Sequence, residues 1–243
     1  MKRHEMIGGL AVTRKILLLS AIISMFGTMA VAAPLCVPNA TLQSYITGND
    51  TFANACQIGD KLFWGFGLNN ITGNEPPATQ IQVLPLSFDG ITNVGISFNS
   101  GGWIADPGFP VDAFISFNVA TISGAAVIED ATLSITGTLS GAGATATITE
   151  TLTPGVAGSP MVTTLPSAVS NHIVFANNMQ SAFQVVDEIN LFVDPRNPTS
   201  SSHVSVVEND FSENVSVPEP VLTSMVGSGL LVLGLLRRKR NSR

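Results

Sequence analysis

Through the middle of the sequence, apolar and polar residues alternate with a period of two. Val111, Ala113, Ile115, Phe117 and Val119 share one parity, with Asp112, Ser116 and Asn118 on the other. Leu133, Ile135 and Leu139 alternate with Thr132, Ser134, Thr136 and Thr138. Thr145, Thr147, Thr149, Thr151 and Thr153 then line one side of the next run. Successive side chains of a strand point to opposite faces, so this pattern specifies half-buried strands, and the β-branched residues favour them further.

Further strands are expected near 81–88, 91–98, 172–176, 185–193 and 203–208, with an aromatic strand-like run at Leu62-Phe63-Trp64-Gly65-Phe66. Turn residues fall at Gly73-Asn74, Asp89-Gly90, Ser100 to Gly102, Asp106-Pro107-Gly108 and Asp194 to Pro198. That spacing suits antiparallel strands, whereas βαβ units need helical patterns of about 10–15 residues between strands. Gly141-Ala142-Gly143 makes the runs on either side of it the best hairpin candidate. A short helix is expected at 41–46, with Asn39 or Thr41 as its N-cap. The expected fold class is all-β, a single antiparallel β-sandwich of roughly 8–10 strands over residues 33–213.

Composition agrees with that class. Only 12% of residues are charged and 45% are hydrophobic, which disfavours both charge-laced helical bundles and intrinsic disorder. The formal net charge of −6 conceals a strong segregation. Lys2, Arg3, Arg14 and Lys15 precede the first apolar run, and Arg237, Arg238, Lys239, Arg240 and Arg243 follow the last. Between residues 16 and 236 only Lys61 and Arg196 are basic against sixteen acidic residues, a balance of 2 − 16 = −14. Phosphate backbones repel such a body, so no nucleic-acid partner is expected.

The two ends carry signals of their own. Residues 1–32 have a basic start, an apolar run from Ile16 to Phe26, and Ala30-Val31-Ala32, the pattern of a secretory signal peptide cut between Ala32 and Ala33. At the other end, Pro218-Glu219-Pro220 precedes an apolar run over 221–236 and a basic tail over 237–243. Sixteen helical residues span about 24 Å, short of a hydrocarbon core of about 30 Å, so this transmembrane segment is a marginal anchor. The basic tail would stay cytoplasmic and the acidic body would face outward.

This tripartite tail resembles the PEP-CTERM sorting signal, a segment also found as the C-terminus of ice-binding-type proteins. The resemblance covers residues 218–243 and implies an exosortase substrate: a membrane cysteine protease-transpeptidase would recognise Pro218, Glu219 and Pro220 and cut nearby. It implies nothing about the folded body. The domain expectation is therefore a signal peptide at 1–32, a β ectodomain at 33–213, and a linker with the sorting signal at 214–243.

Cys36 and Cys56 are the only cysteines, and in an exported chain they are expected to form one disulfide. The opening of the body, Tyr45-Ile46 and then Cys56 to Lys61 before the aromatic run, is similar to the start of many short PEP-CTERM proteins.

No motif for nucleophilic, zinc or nucleotide chemistry occurs, and no catalytic residue is proposed. Gly141 to Ala146 fits a dinucleotide fingerprint formally, but the run from Thr147 onward alternates as a strand where the fingerprint needs a helix. His172 and His203, the histidines of the body, would serve a hydrolase only beside an acidic partner. Glu150 has the parity of Ile148 and Leu152, so a regular strand would bury it. It should then meet Lys61, Arg196 or a metal, or be turned outward by a bulge or an edge position. Glu129-Asp130 and Asp187-Glu188 make poor chelates, because alternation sends neighbours to opposite faces. No cofactor is expected beyond a structural Ca²⁺ in the turns at Asp106 or Asp194. Tyr45, Phe63, Trp64, Phe66 and Trp103 would give either a sugar-stacking platform or core. The expected function is that of an exported, non-enzymatic surface or extracellular-matrix protein. It would be sorted by an exosortase-like protease after transient inner-membrane anchoring, and associated with extracellular polysaccharide in a biofilm. The alternative is a secreted hydrolase or a carbohydrate-binding adhesin.

Overall fold

A computed structural model describes residues 33–88, 93–122, 126–156, 159–166, 169–175 and 179–214. The expected signal at 1–32 and the sorting segment at 215–243 lie outside the described residues.

Among the described residues, twelve strands follow one another in chain order. They are β1 (Ala40–Thr41), β2 (Cys56–Ile58), β3 (Lys61–Asn70), β4 (Gln82–Ser87), β5 (Val94–Ala105) and β6 (Val111–Thr121). The rest are β7 (Val127–Ser140), β8 (Ala144–Thr153), β9 (Met161–Leu165), β10 (Ser170–Val174), β11 (Ala182–Val193) and β12 (Ser201–Asn214). One helix, α1 (Leu42–Gly48), comes after β1; its cap is Thr41, whose hydroxyl accepts from the Ser44 amide at 3.3 Å.

The strands form two six-stranded sheets, in the orders β1–β4–β5–β12–β7–β10 and β2–β3–β6–β11–β8–β9. Every pairing between named strands is antiparallel. The count exceeds the eight to ten expected, partly because β1 and β2 are only two and three residues long.

The sheets share one core. Val94, Ile96, Phe98, Val207 and Phe211 from the first meet Val111, Ile115, Phe117, Ile148, Val185 and Ile189 from the second, all fully buried. Phe117 is the hub: its ring lies 5.7–6.3 Å from those of Phe63, Phe66, Phe98 and Phe211. Burying each such ring contributes about 2–3 kcal/mol, with somewhat more from the tilted and edge-on geometry. The parity that defined β6 in the sequence is therefore the parity of burial.

Three local expectations are corrected. The turn at Gly141-Ala142-Gly143 does not close a hairpin: β7 pairs with β12 and β10, while β8 pairs with β11 and β9 in the other sheet. The turn crosses between sheets, and the loop from β11 to β12 makes a second crossing beside it. Ser200 Oγ donates to the Ala142 carbonyl at 2.9 Å, and the Asp194 amide donates to the Gly143 carbonyl at 3.1 Å. Both glycines have φ above +70°, and a Cβ on Gly141 would collide with Ser200, so the close approach needs glycine there. Strand alternation is the same in a hairpin and in a crossing, so periodicity could not distinguish them.

The expected turn at Ser100 to Gly102 instead lies inside β5. Asn99 pairs with Val206 and Trp103 with Val204, so three residues of β5 oppose one of β12 and the strand bulges without ending. Finally, β12 runs on to Asn214, one residue into the stretch expected as linker.

Candidate functional site

Glu150 enters the core without a bulge. It stands opposite Asp187 in the β8–β11 register and opposite Met161 in the β8–β9 register, so β8 is not an edge strand. Glu150 and Asp187 are both fully buried. From the facing sheet comes Asn209 on β12, also fully buried, whose Nδ2 donates to Asp187 Oδ2 at 2.8 Å. Among the described residues, both Glu150 oxygens, Asp187 Oδ1 and Asn209 Oδ1 have no hydrogen-bond partner. Burial pushes the Glu150 carboxyl well up, and the charges of Asp187 and Asp210 add to the shift. Burial also pushes Asp187 up, opposed by the Asn209 hydrogen bond.

Neither basic side chain of the body serves Glu150. Lys61, fully buried on β3, pairs with Asp60 at 3.0 Å and Glu213 at 3.5 Å. Arg196 forks onto Asp194, with Nη2 2.7 Å from Oδ2. The expectation of an outward-turning bulge or an edge position for Glu150 is thus overturned, and the alternative of a cationic side chain with it. The regular pairing of β8 on both sides holds the carboxylate inward.

A second feature lies on the outer face of the first sheet. Gln80, Gln82 on β4, Asn99, Ser100 and Gly101 on β5, and Ser205 and Val206 on β12 line a groove of about 420 Å³. It opens where β5 bulges away from β12. Ser97 Oγ donates to Asn99 Oδ1 at 2.7 Å and fixes that amide, while Ser205 Oγ donates to the Thr136 carbonyl at 3.1 Å. The lining carries amides and hydroxyls and no charge, a set that hydrogen-bonds uncharged polar ligands in both directions. Hydroxyls continue across the same face: Ser134 donates to Ser170 at 3.1 Å, and Thr132 lies 2.8 Å from His172 Nδ1.

The structure also places the remaining residues that the sequence singled out. Cys36 and Cys56 are joined by a disulfide that ties the first described residues to β2. Tyr45, Phe63, Phe66 and Trp103 are buried, so they make core and no platform. Trp64 alone of the five is part-exposed, edge-on to Phe52 at 5.0 Å. The Asp194 carboxylate is taken by Arg196, and Asp106 closes its turn by accepting from the Phe109 amide through its carbonyl at 2.9 Å. His172 is exposed against Thr132, whereas His203 keeps a buried, unpartnered Nε2 on β12. Asp187 and Glu188 do point to opposite faces, Asp187 into the core.

Two groupings of residues were not assembled from the sequence. Asp187 shares the parity of Val185 and Ile189, and Asn209 that of Val207 and Phe211, the same signal that marked Glu150. The groove residues had no such signal, because they come from a short turn and three strands distant in sequence. No protein-family model matches the chain, and no curated protein matches it.

Proposed function

We propose that this chain is an exported, non-enzymatic surface or extracellular-matrix protein whose β-sandwich body is delivered by two terminal signals. Residues 1–32 direct export and are removed between Ala32 and Ala33. Pro218, Glu219 and Pro220 present the apolar segment 221–236 and the tail 237–243 to an exosortase-like membrane protease. The observation that carries this reading is the tripartite sequence of the tail, Pro-Glu-Pro, apolar run and basic cluster, on an acidic body nearly free of basic residues. The Cys36–Cys56 disulfide supports passage through an oxidising compartment. After processing, the body associates with extracellular polysaccharide. The uncharged amide and hydroxyl groove supports that association, and equally a carbohydrate-binding adhesin, because a neutral saccharide is recognised by such donors and acceptors.

The sorting step is tested by replacing Pro218 and Pro220 with Ala in the native host. The double variant should accumulate, unprocessed, in the inner membrane. Delivery to the surface at the normal rate would overturn the sorting role of these residues.

A further inference from the structure

Four buried oxygens around Glu150 lack donors, and one proton cannot serve them. If Glu150 carried a proton and gave it to Asp187, the second Glu150 oxygen and the Asn209 carbonyl would remain buried and without a protein donor. Each such group costs stability when it is buried without a partner. Among the described residues no side-chain cation fills the gap, since Lys61 pairs with Asp60 and Glu213 and Arg196 with Asp194. Ile148, Leu152, Val185, Ile189, Val207 and Phe211, inward residues beside them, are apolar and offer no donor, and the one buried hydroxyl on the adjoining β9, Thr163, is too few for four oxygens.

We propose that Glu150, Asp187 and Asn209 form a buried site for one divalent cation, of which Ca²⁺ best fits the donors. Directly opposed residues of an antiparallel pair have Cβ atoms about 5 Å apart, so Glu150 and Asp187 can converge on one ion. Asn209 reaches the same point from the other sheet: its Nδ2 is already on Asp187 Oδ2, and its Oδ1 is unpartnered. The set holds two carboxylates whose charge a divalent ion neutralises, plus a neutral amide oxygen. Among the described residues no three His, Cys, Asp or Glu side chains cluster as a metal site, and the amide is what completes this one. Thr163, fully buried on β9 with an unpartnered Oγ1, faces the core two residues from the partner of Glu150 and adds a hydroxyl oxygen on the same face. Carboxylate, amide and hydroxyl oxygens are hard ligands, and mixed, irregular sets of them suit Ca²⁺ better than the stricter octahedron of Mg²⁺. The ion would bind the two sheets together at the middle of the core.

The full-length protein, stripped with chelator and dialysed, is titrated with CaCl₂ by calorimetry and by thermal unfolding, with MgCl₂ in parallel. One Ca²⁺ per chain should bind with a Kd at or below the millimolar range typical of extracellular sites, and Tm should rise with saturation. In the infrared spectrum, a buried protonated carboxyl band of the stripped protein should vanish as Ca²⁺ is added. Glu150→Gln and Asp187→Asn should each abolish binding, and Asn209→Asp, with a third carboxylate, should tighten it at least several-fold. A wild-type protein that binds no Ca²⁺ and keeps its protonated carboxyl band would show that protons alone hold the site, and would overturn the proposal. Binding that survives both Glu150→Gln and Asp187→Asn would place the ion elsewhere and overturn it equally. If Glu150→Gln fails to fold, the wild-type titration and Asn209→Asp still decide.

Discussion

Asn209 on one sheet donates its amide to Asp187 on the other, Nδ2 to Oδ2 at 2.8 Å, with both residues fully buried. This polar link runs between inward side chains that include the apolar Val185, Ile189, Val207 and Phe211. Replacing Asn209 with Leu keeps the branched outline with some added bulk and strips Asp187 of that donor. The expected cost is about 3 kcal/mol, read as a lower midpoint in urea unfolding. A loss below about 0.5 kcal/mol would mean that the link contributes nothing.

Glu75 organises the approach to β6. Its carboxylate accepts from the Thr72 hydroxyl, from the Thr72 amide at 2.8 Å, the Gly73 amide at 2.7 Å and the Asp112 amide at 3.1 Å. Burial alone would raise its pKa, but these donors outweigh it and hold the group down at about 2. A carboxyl whose folded pKa lies below its unfolded value stabilises fully above the unfolded value, and the gain is lost as pH falls toward the folded one. Wild-type stability should therefore drop between about pH 5 and pH 2, and Glu75→Gln should flatten that drop. The variant should also cost about 2 kcal/mol at pH 7. An unchanged acid limb in Glu75→Gln would contradict the role given to these hydrogen bonds.

The disulfide joins Cys36 to Cys56 across a sequence separation of 20 residues. Chain-entropy reasoning assigns it about 3 kcal/mol. Unfolding with and without a thiol reductant should show that difference at neutral pH, with β structure retained in the reduced protein at low denaturant. Equal midpoints would place the stability of this end in α1 and its buried Leu42 and Tyr45.

The groove predicts a separable phenotype. Asn99→Ala removes a fixed amide, and Ser205→Tyr fills the opening. Pull-down on polysaccharide from the producing cells should fall about tenfold in the combined variant, while Tm stays within a few degrees of wild type. Undiminished pull-down would move the polysaccharide contact off this face.

Much of the fold was legible because one physical signal, parity, recurs. Val111 to Val119 were placed on a buried face by alternation alone, and all five are fully buried. Glu150 obeyed the same rule, and the expectation of an escape by bulge failed because β11 and β9 hold β8 in regular register. Parity speaks of faces and not of partners, so it could not tell that Gly141-Ala142-Gly143 crosses between sheets. That outcome depends on β11 and β12, much later in the chain, which take the pairing positions that a hairpin would have filled. The groove was invisible for a related reason: Gln82, Asn99 and Val206 become neighbours only through register.

The central claim, an exported and sorted matrix protein, is tested most directly by the intact mass of the native protein taken from the cell surface and medium. The account predicts a species that begins at Ala33, ends close to Pro220 and carries the Cys36–Cys56 disulfide. A mass that retains residues 221–243 would describe a plain tail-anchored protein and would contradict the sorting assignment.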